Sequence, residues 1–179
     1  MKKTLFTLCC LCIWLASFSQ QNIPMDDENK QAFISEVVEA TGSTKDELFD
    51  RGLAWINKYY LNPTGVIQSK NMETGEIIGK AQFKITGKDK NGVETTDGIV
   101  AYTITLSFKD GKFKYEISRI HLKQASYYDV SKWMDTKDQY YNPDKFPGYI
   151  AQTNTYFDNL RAELKKAVKT APVKKSKDW

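Results

Sequence analysis

His121 is the one histidine of this 179-residue chain, and a catalytic histidine needs a positioned nucleophile or carboxylate beside it. No GxSxG-like nucleophile elbow is present, and Ser118 lies three residues away on the same predicted strand. We therefore expect His121 to be a histidine at the end of a strand, at the margin of a sheet.

Paired carboxylates could instead hydrolyse glycosides, with a separation that sets the stereochemical outcome. Asp110 belongs to a predicted Asp110-Gly111 turn, and Glu116 alternates with lysines on a predicted strand, where a cross-strand ion pair is the simplest role. We predict no catalytic centre. The alternative is a small periplasmic hydrolase that uses His121 or Glu116.

Metal and cofactor chemistry finds little support in the sequence. All three cysteines lie within the first 12 residues, and neither an HExxH nor a DxDxDG motif is present. One histidine and no later cysteine leave no clustered ligands for a transition metal. We predict no metal site and no cofactor.

The N-terminal segment has the three parts of a secretory signal peptide. Residues 1–19 contain Lys2 and Lys3, then an apolar run of about a dozen residues, then the small-residue exit Ser-Phe-Ser. The apolar run is too short to span a bilayer as a helix. We expect cleavage after Ser19, a periplasmic or extracellular protein, and no transmembrane segment after cleavage. Loss of the two lysines lowers the net charge from +4 to +2, which is weak for a dedicated nucleic-acid binder.

The remaining chain has the composition of one globular domain, with 41% hydrophobic and 27% charged residues. We predict a flexible leader at 20–30, a single domain at 31–170 and a disordered tail at 171–179. Within the domain the order is β-α-β-β-β-β-α. Predicted strands cover 32–40, 65–72, 76–86, 99–109 and 113–122, with a bulge near Ser118. Predicted helices run from about 44 to 60 and from 151 to 168.

Period-two alternation predicts an α+β fold with an antiparallel sheet, one face covered by helices and the other wet. The wet face carries four lysines, which we note as weak candidates for ligand binding: Lys80, Lys84, Lys112 and Lys114. A second set of weak candidates lies in an aromatic insertion at 124–150, before the last helix: Tyr127, Tyr128, Trp133, Tyr140 and Tyr141. Aromatic rings can anchor a protein interface or stack on a sugar, although the insertion could equally bury most of them.

Several short motifs carry a family resemblance between about 34 and 120. They are Lys45-Asp46-Glu47-Leu48, Trp55, Gly75, Ile77-Ile78-Gly79-Lys80 and Lys109-Asp110-Gly111-Lys112. The chain resembles an exported bacterial domain of unknown function with a TATA-binding-protein-like (TBP-like) fold. The resemblance implies the fold and no activity.

A TBP-like fold does not by itself imply DNA binding. TATA-binding protein inserts aromatic wedges from its sheet into the minor groove, whereas the wet face predicted here carries lysine, glutamine and threonine. We therefore predict no nucleic-acid partner. The sequence favours an exported, soluble, non-catalytic binding or accessory module for an envelope protein or glycan.

Overall fold

A computed structural model describes residues 22–170, so the predicted signal peptide and tail lie outside the described residues. The elements are β1 (Ile34–Glu39), α1 (Lys45–Tyr59), α2 (Pro63–Val66), β2 (Ile67–Asn71), β3 (Glu76–Lys88), β4 (Glu94–Lys109), β5 (Lys112–Leu122), β6 (Tyr128–Asp129), a 3-10 helix (Val130–Met134) and α3 (Phe146–Lys169). They form a six-stranded antiparallel sheet in the order β1-β5-β4-β3-β2, with β6 paired to the end of β5. The predicted α+β class is confirmed.

The central strand β4 shows why one face of the sheet is covered. Its residues alternate, and the inward set that includes Tyr102, Ile104 and Phe108 is at most 2% exposed, whereas Thr103 and Thr105 on the other face are only half-buried. Helices α1 and α3 pack on the inward side. The burial of this apolar face is the main force that holds the sheet and helices together.

Local sequence sets the ends of α1. The Thr44 hydroxyl accepts from the Glu47 amide over 3.3 Å, and the Glu47 carboxylate accepts from the Thr44 amide over 3.0 Å, which forms the capping box that the sequence indicates. At its other end Asn62 caps a further turn, with Pro63 in the first helical position. That turn is α2, so the strand we placed at 65–72 begins only at Ile67.

Two other boundaries differ from the sequence prediction. The connection between the strands that we predicted at 76–86 and 99–109 shrinks to residues 89–93, because the Asp89 carboxylate accepts from the amides of Asn91 and Val93 and closes a tight turn. The last helix begins at Phe146 rather than at 151. Pro147 sits in its first turn, where a proline costs no hydrogen bond.

The leader predicted as flexible contains a packed segment. Ile23 is 1% exposed, and Met25 forms an isolated antiparallel bridge with Ala32. The Phe33 amide donates to the Pro24 carbonyl over 2.9 Å. For residues 22–30 the structure therefore corrects our prediction, because one isoleucine in a polar segment is enough to anchor it to the core.

Candidate functional site

The face of the sheet opposite α1 and α3 has a cationic end and an end that carries charges of both signs. Across β3, β4 and β5, Lys80 is in register with Thr103, Gln82 with Ala101, and Ala101 with His121. This end of the face carries the cations Lys80, Lys84, Arg119 and Lys123, all exposed. The opposite end mixes both signs of charge.

A trough runs along β4 at the cationic end. Its floor consists of the short side chains of Ala101 and Thr103, whereas the strands on either side carry longer ones. We define the sheet trough by this floor and its two walls: Ala101, Thr103, Lys80, Gln82, Arg119, His121 and Lys123. Lys84, the next open-face residue of β3 after Gln82, is counted with the same wall. Because β3 and β5 both flank β4, the two walls stand about 10 Å apart at the usual strand spacing.

The cations of the trough lack acidic partners. Among residues 22–170, no carboxylate oxygen lies within 4 Å of the charged nitrogens of Lys80, Lys84, Arg119 or Lys123. Lys123 instead donates to the neutral Gln82 amide oxygen over 3.3 Å. Like charges held close together repel one another unless a counter-charge is supplied, so this end of the face favours an anion.

A β-bulge shapes the wall on β5. The register of β4 and β5 shifts between Ala101 and Thr103, which confirms the bulge predicted near Ser118. Arg119 takes a left-handed backbone conformation with φ 52°, and non-glycine residues adopt it at a cost. The Arg119 carbonyl lies 2.6 Å from Nδ1 of His121. Because a carbonyl only accepts, Nδ1 is the donor in this contact.

Tyr127 stands beside this wall and is 47% exposed. Its ring lies 4.9 Å from that of His121, centroid to centroid, and its hydroxyl donates to Asp129 over 3.1 Å. Burial, and then the Asp129 charge, raise the pKa of Tyr127 to about 12. The phenol therefore stays neutral at physiological pH and offers a flat apolar surface next to the trough.

The other two lysine candidates lie outside the trough. Lys114 forms an ion pair with Glu116 over 3.1 Å, and Lys112 is in register with Glu39 on β1. Both belong to the mixed end of the face, where the carboxylates Glu39 and Glu116 also lie. The four lysines that the sequence grouped together are therefore separated by the structure.

The aromatic insertion is mostly a packing element. Trp133 is 1% and Tyr128 8% exposed, and the Trp133 ring contacts Phe146 and Tyr149 with centroids 5.9 and 5.4 Å away. These two candidates are corrected, because their rings close one end of the core and cannot stack on a ligand. Tyr141 is half-buried. Tyr140, 66% exposed, is free to contact a partner but is not part of the trough.

The structure does not bring together the residues of the hydrolase alternative. Glu116 is in register with Thr105 and His121 with Ala101, so they stand about 13 Å apart along the sheet at the usual rise of a strand. Glu116 is also paired with Lys114. Within the described range, no group of three His, Cys, Asp or Glu side chains could hold a metal ion.

A tyrosine cluster on the helix side of the sheet has no counterpart in our sequence analysis. The Tyr102 hydroxyl lies 2.9 Å from those of both Tyr60 and Tyr156, and the Tyr156 ring stacks on Phe83 with centroids 3.9 Å apart. Burial raises the pKa of Tyr60 and of Tyr102 well above the ordinary value. The cluster joins residues far apart in sequence, and no local pattern marks it.

The trough and the tyrosine cluster border one cavity of about 790 Å³. Neighbouring residues of a strand point to opposite faces, so Gln82 and Ala101 line it from the open face, whereas Ala81 and Tyr102 line it from the helix side. The two parts lie along β3 beyond Gly79, where β2 has ended. Only the open-face part is bordered by unpaired cations.

The strand order, with both long helices on one side of an antiparallel sheet, defines a TBP-like fold of the α+β class. Residues 35–123 match the family model described as "Domain of unknown function (DUF4468) with TBP-like fold". This part of the chain belongs to the DUF4468 family, as the resemblance in the sequence implied.

Two solved structures share the fold. One is a DUF4468 family protein from Bacteroides ovatus, with a TM-score of 0.66 and 16% identity over 83% of this chain and 91% of that chain. The other is a TBP-like protein from Parabacteroides distasonis, with a TM-score of 0.66 and 20% identity over 84% of this chain and 99% of that chain. No curated protein matches the sequence. At these identities the likeness shows the fold alone.

The comparisons name no ligand or partner. In the part of the chain from 22 to 170, no helix is long and apolar enough to cross a membrane.

Proposed function

We propose that this chain is an exported, non-catalytic binding module that holds an envelope component on the open face of its sheet. The observation that carries this proposal is the sheet trough, a concave surface with unpaired cations on an uncovered face. The N-terminal segment at 1–19 supports export, because its charged start, apolar run and small-residue exit are those of a signal peptide.

The two ends of the open face differ in how their cations are placed. At one end Lys114 pairs with Glu116 over 3.1 Å. At the other end, within residues 22–170, the cations on the two walls of the trough have no carboxylate within 4 Å. Like charges grouped on one concave surface attract and orient a partner of opposite charge.

The test is retention of envelope material on an immobilised chain of residues 20–179. A K80E/K123E variant reverses two charges of the trough, and a K58E/K166E variant makes the same net change on exposed positions of α1 and α3. We expect the parent chain and K58E/K166E to retain the same envelope component, and K80E/K123E to lose it. Equal retention by both variants, or none by the parent chain, would contradict the proposal.

A further inference from the structure

The exposed charges of the trough are spread along the sheet rather than gathered at a point. The backbones of Lys80 and Lys84 are about 13 Å apart along β3 at the usual rise of a strand, and Arg119 and Lys123 stand on the other wall. A small anion is held best where several donors converge on it. Cations spaced along both walls instead suit a chain that carries an anionic group at each repeat.

The polar groups of the trough suit a chain of sugars better than a peptide. The backbone hydrogen bonds that join β3, β4 and β5 lie in the plane of the sheet, and the part of β3 that β2 does not cover, beyond Gly79, forms an edge of the sheet. The open face itself therefore offers side chains and few backbone groups. A peptide laid across it would leave most of its N–H and C=O groups without partners, which is costly when they are buried. Sugar hydroxyls both donate and accept, as do the Thr103 hydroxyl and the Gln82 amide.

The exposed aromatic surface also distinguishes among polyanions. Tyr127 presents a ring beside His121 at one wall, where a sugar ring could pack against it. Single-stranded nucleic acids are held by successive aromatic platforms, whereas Lys80, Gln82, Thr103 and Lys123 supply none. On these grounds we infer that the sheet trough binds a segment of a linear acidic polysaccharide whose sugars carry carboxylates. The inference rests on the proposed function and names its ligand class.

The experiment uses hexagalacturonate as the probe in calorimetric titration of residues 20–179. We expect saturable binding that weakens as NaCl is raised from about 20 to about 150 mM, because exposed charges are screened over that range. The neutral hexamer of glucose should bind at least about tenfold more weakly, equivalent to about 1.4 kcal/mol. Absence of hexagalacturonate binding at low salt would overturn the inference.

Variants separate recognition of a sugar from simple attraction of charge. K80E/K123E should weaken binding about tenfold or more, and K58E/K166E should leave it within about twofold. T103V removes a hydroxyl and no charge. We expect it to weaken hexagalacturonate binding several-fold while leaving the slope against salt unchanged. An unchanged affinity in T103V would contradict direct contact with the sugar.

Three further probes test the ligand class. Hexaglutamate, single-stranded oligonucleotide and phosphatidylglycerol vesicles share the negative charge and lack the uronate ring. If any of them binds as tightly as hexagalacturonate, the inference is wrong. If envelope material is retained through the trough yet hexagalacturonate does not bind, the inference fails and the proposed function stands. If neither binds, both fail.

Discussion

The ammonium group of Lys123 donates to the side-chain oxygen of Gln82 over 3.3 Å, from the end of β5 to β3 on the far side of β4. This contact crosses the floor of the sheet trough and joins its two walls. Because Gln82 is neutral, the charge of Lys123 is positioned without being compensated. The same face has a compensated lysine in Lys114, which pairs with Glu116. The difference between these two ends is the basis of the function that we propose.

The first prediction concerns export. Expressed in its own cells, the chain should lose residues 1–19 and begin at Gln20, because the residues before that position have the pattern of a signal peptidase site. Mass spectrometry of the protein from the periplasm or the medium measures the new N-terminus. Replacement of Lys2 and Lys3 by glutamate should slow processing. A full-length chain in the cytoplasm would contradict the prediction.

The second prediction concerns acid stability and Glu36. The Tyr115 hydroxyl donates to the Glu36 carboxylate, and Lys165 Nζ donates to it over 3.1 Å. Led by the tyrosine contact, these interactions lower the pKa of Glu36 below its ordinary value, although desolvation opposes them. A lowered pKa in the folded state means that this stabilisation is present above the unfolded pKa of about 4.3 and is lost as the pH falls through the folded value.

E36Q should therefore unfold more easily at neutral pH, by about 1 kcal/mol for a half-exposed charged hydrogen bond. The difference should shrink as the pH falls through the folded pKa of Glu36, because the parent carboxylate then becomes protonated as well. Urea unfolding at neutral pH and at a series of lower pH values measures it. E39Q, on the exposed neighbour Glu39 of the same strand, is the control and should match the parent. A pH-independent loss in E36Q would show that the charge is not responsible.

The third prediction compares two helical glycines. A Cβ on Gly52 would stand 2.3 Å from the Phe108 ring, whereas a Cβ on Gly148 would meet nothing within 4 Å. Phe108 is 1% exposed and packs edge-to-face on Phe49, so its ring cannot move aside. G52A should destabilise by about 1–3 kcal/mol through overpacking, and G148A should stabilise by about 0.5–1 kcal/mol. Urea unfolding of both variants tests this, and equal stabilities would contradict the packing of α1.

The fourth prediction concerns alkaline pH. Burial raises the pKa of Tyr60 and Tyr102 above the unfolded value of about 10. The stabilisation is complete below that value and is lost as the pH rises, so these phenols should ionise only as the domain unfolds. Absorbance at about 295 nm, followed together with circular dichroism, detects phenolate formation. Y102F should reduce the amount of phenolate that forms as the domain unfolds, because one of the buried phenols is then absent. Ionisation of all tyrosines in the folded state would contradict the burial of the cluster.

The sheet and its covering helices were predictable because alternation and capping are local signals. Ile104, Leu106 and Phe108 recur with period two in the sequence, and their burial confirms the inward face. Boundaries were harder, because Asn62 and Asp89 decide them through side-chain hydrogen bonds that competing turn types could equally form.

The candidate site was predictable only in part. Alternation placed Lys80 on the open face together with Lys114, but only the positions of the side chains show that Lys114 pairs with Glu116 of its own strand and that Lys80 has no carboxylate within 4 Å among residues 22–170. The aromatic residues Tyr128 and Trp133 were candidates for ligand binding, but they are buried. The sequence shows that Trp133 has other aromatic residues near it in the chain. Its burial, however, depends on α3 beginning early enough to bring Phe146 and Tyr149 against its ring.

The most direct test of the account is a map of where hexagalacturonate contacts the folded domain. In nitrogen-15 correlation spectra of residues 20–179, the account predicts that the largest, saturable shift changes occur at the amides of Ala101, Thr103 and His121. Amides of Asn159 and Lys166 on the exposed side of α3 should not move. Changes that centre on α3 or on the segment around Tyr140, or spectra that do not change at all, would contradict the claim that the sheet trough is the binding site.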